Sequence, residues 1–124
     1  MPRVNHFELP ADNPERAIEF YRKVFGWQIQ EWGDQHNYWL VKTGDSPQMG
    51  INGAIAKRED TPATTLTIGV ENADDYADKI RASGGKVLTA KLTIPKIGYM
   101  YYCEDTEGTS FGIIQPDMSV GKGT

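Results

Sequence analysis

Residues 6–27 read HFELPADNPERAIEFYRKVFGW. The stretch changes period halfway along. Between Val4 and Leu9 the side chains alternate, with Val4, His6 and Glu8 on one face and Asn5, Phe7 and Leu9 on the other. That two-residue period belongs to a strand. Asn13 then suits a helix N-cap, and Pro14 suits the first helical position, where a missing N–H is not needed. Ala17, Ile18, Tyr21, Val24 and Phe25 recur at helical spacing, and Gly26 supplies the stop. The spacing therefore predicts a strand followed by a helix from Pro14 to Phe25.

Working outward, WQIQEW (27–32) alternates as a strand, GDQH (33–36) is a turn and NYWLVK (37–42) is a β-prone run. TGDSPQ (43–48) is a loop, GINGAIA (50–56) a short Gly-rich strand, and KREDTPA (57–63) a charged linker. The order then restarts. TTLTIGV (64–70) is a strand, and Asn72 caps a helix carrying Ala73, Tyr76, Ala77 and Ile80 on one stripe. Gly84-Gly85 ends that helix, and KVLTA, GYMYYCE and SFGIIQ are strands. The tail, DMSVGKGT, is expected to fray. Strand, helix and three strands are thus written twice. A shift of 59 superimposes His6 on Thr65, Ile18 on Ala77, Tyr21 on Ile80, Gly26 on Gly85 and Gly53 on Gly112.

The chain has 124 residues, which suits one domain and one core. Net charge is −4, and basic pairs such as Lys57-Arg58 are followed at once by acids, so nucleic acid is not an expected partner. Cys103 is the single cysteine, which excludes an intrachain disulfide and a cysteine-rich zinc site. No apolar run is long enough to span a membrane, and MPRVNHFEL lacks a signal-peptide core. A cytoplasmic location is expected.

With these elements in place the chain resembles the vicinal oxygen chelate superfamily of glyoxalase I, bleomycin- and fosfomycin-resistance proteins and extradiol dioxygenases. The resemblance runs from Val4 to Pro116. It rests on HFELPADNPERAIEFYRKVFGW, on VENADDYADKIRASGGKV and on EDTEGTSFGIIQP, where Thr106 replaces the family's usual Pro. The nearest likeness is to small glyoxalase-related proteins without an assigned activity. It implies an α+β fold. Two βαβββ modules, about 3–57 and 64–116 of a single domain over 1–119, form a curved mixed sheet around a concave cup, with a frayed tail at 120–124. It also implies a homodimer.

Enzymes of that superfamily hold one divalent metal on the cup floor, with ligands from the first and last strand of each module. The resemblance puts those positions at His6, which precedes Phe20-Tyr21 by fourteen residues, at Thr65, at Gly112 and in the region of Asn52-Gly53. Only His6 is a competent ligand, and a metal needs three or four convergent donors. The expectation is a cup without metal or other cofactor that takes a small organic ligand. Its wall is assigned to Trp39, Asn52, Thr65, Thr67, Tyr99, Tyr101, Gly112 and Ile114. The two glycines are expected to leave open space where ligands would project. His6 and Glu8, on one strand face, are the candidates for acid–base chemistry. The alternatives are a metal-dependent lyase or isomerase of the glyoxalase type using His6 and Glu8, and an accessory domain with no ligand.

Overall fold

The structure is a computed structural model that describes residues 2–33 and 37–120. Most of the expected turn at 33–36, and the tail beyond Val120, lie outside the described residues. The described residues form two compact units, one within 6–65 and one within 66–120 together with 2–5.

The first unit runs β1 (Arg3–Ala11), α1 (Pro14–Phe25), β2 (Gln28–Glu31), β3 (Tyr38–Lys42) and β4 (Gly53–Lys57). Helix α1 begins and ends where the sequence predicts. The Asn13 side chain accepts from Arg16 N–H at 3.1 Å, and Gly26, at φ 71°, donates to Arg22 O at 2.9 Å. Strand β3 pairs antiparallel with β2 and β4, and β4 pairs parallel with β1. Registers such as Phe7↔Gly53, Trp39↔Ile55 and Ile29↔Val41 put Phe7, Leu9, Ala11, Ile29, Trp39, Val41 and Ile55 on one face. That face packs on Ala17, Ile18, Tyr21 and Trp27. Burying each large aliphatic side chain here contributes about 1.5–3 kcal/mol.

The second unit contains β5 (Thr65–Gly69), α2 (Ala73–Ala82), β6 (Lys86–Val87), β7 (Leu92–Ile94), β8 (Gly98–Glu104) and β9 (Ser110–Pro116). Asn72 caps α2 by accepting from Asp75 N–H at 3.0 Å. Strand β9 pairs parallel with β5 and antiparallel with β8. The KVLTA strand is broken: only Lys86–Val87 pairs with one end of β8, and Leu92–Ile94, absent from the sequence reading, pairs with the other. Together they act as one interrupted partner strand, so each unit keeps the βαβββ plan and the fold is α+β as expected. Val70, Cys103 and Ile113 form the core with Ile68, Tyr76, Ile80, Val87, Tyr101 and Phe111. Part of the expected fraying is replaced by anchoring. Val120 is only 5% exposed, and its carbonyl accepts from Lys96 N–H at 2.7 Å.

The internal repeat holds through the helices and slips by one residue at the end. Phe7 pairs with Gly53, but its counterpart Leu66 pairs with Phe111, and Gly112 faces Thr67. Gly53 and Gly112 therefore occupy opposite faces of their sheets, because a one-residue slip turns every side chain over. The counterpart of Gly112 in the first unit is Ala54, opposite Glu8.

Candidate functional site

On the face of the first unit away from α1, the pairings place His6 and Glu8 of β1, Ala54 and Ala56 of β4, Tyr38, Leu40 and Lys42 of β3, and Gln28 and Gln30 of β2. A cavity of about 400 Å³ opens there, lined by His6, Gln28, Gln30, Leu40, Lys42 and Asn52 among others. That volume lies in the range of small-molecule sites. A larger hollow of about 650 Å³ lies along α1, bounded by Glu15, Glu19, Arg22, Lys23, Glu31 and Trp39. Its walls are mainly long solvated side chains, and neither His6 nor Glu8 reaches it.

Tyr38 links His6, which lines the cavity, to Glu8. Its hydroxyl donates to Glu8 Oε2 at 3.0 Å and lies 3.0 Å from His6 Nε2. Glu8 is only 3% exposed, so its carboxyl depends on such partners. Burial lowers the His6 pKa from its ordinary value, and the nearby Glu8 charge opposes this without overcoming it. At the mouth, Lys42 pairs with Asp45 at 2.7 Å. Thr43 N–H donates to Asn52 Oδ1 at 2.9 Å, which sets the amide so that its NH2 is the donor end.

Of the expected wall residues, Asn52 joins His6 in this cavity. Trp39 does not: it lies in the α1 core with Val41, and Tyr38 takes the position assigned to it. The alternation of NYWLVK carried that signal, since Trp39 and Val41 form its apolar parity. The same error of parity affects β8. Tyr101 donates to Asp74 Oδ1 at 2.7 Å and belongs to the α2 core, and Tyr99 lies beneath Lys91 Nζ at 4.6 Å. Met100 and Tyr102 instead share the face of Thr67, Gly112 and Ile114.

Neither glycine leaves open space. A Cβ on Gly112 would lie 2.6 Å from Met100 Cε, so Met100 fills the position. A Cβ on Gly53 would meet the Phe7 carbonyl and ring on the helix face. Thr65 is buried, with its hydroxyl donating to Ala63 O at 2.8 Å. Thr67 is 2% exposed, and its Oγ1 has no hydrogen-bond partner among the described residues.

These residues do not fit the divalent metal of the superfamily's enzymes. His6 and Glu8 are joined through Tyr38, Thr65 is engaged with backbone, and Met100 lies against Gly112. Among the described residues no three His, Cys, Asp or Glu side chains are grouped to hold an ion.

Comparisons with known proteins agree with the fold. The chain is 27% identical over 133 residues to the lactoylglutathione lyase of Escherichia coli O157:H7, covering 98% of this chain and 97% of the relative. It is 29% identical over 115 residues to CFP32 of Mycobacterium tuberculosis, provisionally named a glyoxylase, covering 88% of this chain but 42% of that protein. The chain thus spans under half the length of that mycobacterial relative. Among solved structures, methylmalonyl-CoA epimerase from Mycobacterium tuberculosis shares the fold, with a TM-score of 0.67, 14% identity, and coverage of 92% of this chain and 87% of that one. No described helix is long and apolar enough to cross a membrane. The family model for the Glyoxalase/Bleomycin resistance protein/Dioxygenase superfamily matches residues 3–113, and the chain belongs to that superfamily.

Proposed function

We propose that the protein binds a small organic ligand in the cavity beside His6 and does so without a metal, in the manner of a bleomycin-type sequestering protein. The observation that carries this reading is the cavity itself, with three carboxamides, a histidine and a lysine beside the apolar Ile29, Leu40 and Val41. Such a mixture suits recognition of an organic molecule with a few polar groups. The tie from Tyr38 to both His6 and Glu8 supports the absence of metal. The active form is a homodimer of twice the 13.8 kDa chain.

Trp32 provides the test. Its ring packs on Tyr38 with centroids 5.6 Å apart, and Tyr38 contacts His6, a lining residue of the cavity, so a ligand that displaces His6 is expected to change its emission. A small-molecule library screened by tryptophan quenching is expected to give saturable hits that are lost in Leu40→Trp, which fills the cavity. Hits that survive that substitution would place binding elsewhere, and silence across the library would favour an accessory domain. The rival reading is a metal-dependent lyase, favoured by likeness to a lactoylglutathione lyase along nearly the whole chain. Stoichiometric zinc, nickel, manganese or iron in protein purified without added metal would establish that reading over ours.

A further inference from the structure

We propose that the hollow of about 650 Å³ along α1 is a second binding site, and that its ligand is a short peptide with free termini, about three residues long, laid along the open edge of β2. The proposal is independent of the ligand assigned to the His6 cavity.

Two observations carry it. The first is the backbone of β2. Among the described residues β2 pairs only with β3. In that antiparallel register Gln28 and Gln30 share the phase of Trp32, whose N–H donates to Tyr38 O at 3.1 Å. Successive residues of an antiparallel strand turn their N–H and C=O to opposite sides. Ile29 therefore turns both groups away from β3, toward α1. The Arg22 guanidinium reaches from α1 and donates to the Ile29 carbonyl, which agrees with this phase. The Ile29 N–H points to the same open edge, where the carbonyl of an extended peptide would accept from it, as strand addition requires.

The second observation is the order of charge along the hollow. Glu15 and Glu19 line one end, and Arg22 and Lys23 line the other. Among the described residues none of the four belongs to an ion pair. Arg22 gives one N–H to Ile29 and keeps other donors of its five. Lys23 follows Glu15 by eight positions, about 12 Å of helix. Three extended residues span about 10 Å, so a tripeptide brings its ammonium to the carboxylates and its own carboxylate to the cations. Its chain then runs in the same direction as α1. Half-buried Trp39 also lines the hollow and offers an aromatic surface to the peptide's middle side chain.

Calorimetric titration and NMR on the full chain test this. The probe is the tripeptide alanyl-phenylalanyl-alanine, compared with its N-acetylated and C-amidated forms at low ionic strength, where exposed charges are least screened. The free peptide is expected to bind with a dissociation constant on the order of 1 mM. N-acetylation is expected to weaken binding about fivefold, and under about twofold in the double variant Glu15→Gln, Glu19→Gln. C-amidation is expected to weaken it about threefold, a penalty lost in Lys23→Gln. All three substituted side chains are exposed, so the variants keep the fold. The amide signals of Glu19 and Ile29 are expected to shift during the titration while those of His6 and Asn52 stay in place. Equal affinities for the three forms, penalties that survive the substitutions, or no binding at about 10 mM peptide would overturn the proposal. Shifts centred on His6 and Asn52 would also overturn it, because they would put the peptide in the other cavity.

Discussion

Two glycines that look equivalent in the repeat should behave very differently when changed to alanine. At Gly53 the new methyl would meet the Phe7 backbone carbonyl, and it would come within 2.5 Å of the Phe7 ring. The carbonyl belongs to the parallel β1–β4 pairing and has no rotamer to escape into. Overpacking in a well-filled core costs about 1–3 kcal/mol, and an immovable partner puts Gly53→Ala near the upper end, about 3 kcal/mol. At Gly112 the methyl would meet Met100 Cε, the far end of a flexible side chain, at 2.6 Å, and Thr67 Oγ1 at 3.3 Å. Met100 can swing aside, and alanine offsets part of the cost by reducing the freedom of the unfolded chain by about 0.4–1 kcal/mol. Gly112→Ala should cost under about 1 kcal/mol. For a chain of this length about 4 °C of melting temperature corresponds to 1 kcal/mol. Calorimetry should show a drop of about 12 °C for Gly53→Ala and under about 4 °C for Gly112→Ala. Equal losses, or a larger loss at Gly112, would refute the assignment of the two glycines to opposite faces.

Three other outcomes are expected. The His6 pKa is lowered on folding, so the unfolded chain takes up its proton first. Stability should be complete above the ordinary value of about 6.5 and fall as the pH drops below it toward the folded pKa; urea midpoints of the native protein and His6→Gln should converge on acidification. Cys103 is fully buried and its thiol is pushed up to about 11, so it should react with a thiol reagent only after denaturant is added, as read by absorbance of the released chromophore. Ile55 has no exposed surface and lies at the centre of the α1 core, so Ile55→Ala should cost about 2–5 kcal/mol by chemical denaturation.

Most of the fold was legible because its signals are local. Asn13, Pro14 and Gly26 mark the ends of α1 by side-chain and backbone chemistry that acts within one turn. Asn72 does the same for α2. The candidate site was less legible because it depends on strand parity, which one residue reverses. His6 and Glu8 share one face of a single strand, and both contact Tyr38. Trp39, Tyr99 and Tyr101 were placed on the wall because they are aromatic, although alternation puts each on a helix-facing side. The slip between Gly53 and Gly112 has the same origin: the repeat aligns through the helices, and the strand pairing that ends it differs by one position. Tyr38 joins residues 30 and 32 positions away in the chain, and no local pattern carries that contact.

The tryptophans are distributed unevenly between the two units. Trp27, Trp32 and Trp39 all belong to residues 6–65, and the half that follows has none. Tryptophan emission therefore monitors the melting of one half, whereas far-ultraviolet dichroism follows the backbone of both. The two halves have separate cores, so the pair of probes becomes a built-in gauge of cooperativity. Superimposable curves would mean that the duplicated modules melt as one body. A dichroism transition without a matching change in emission would reveal the silent half opening by itself.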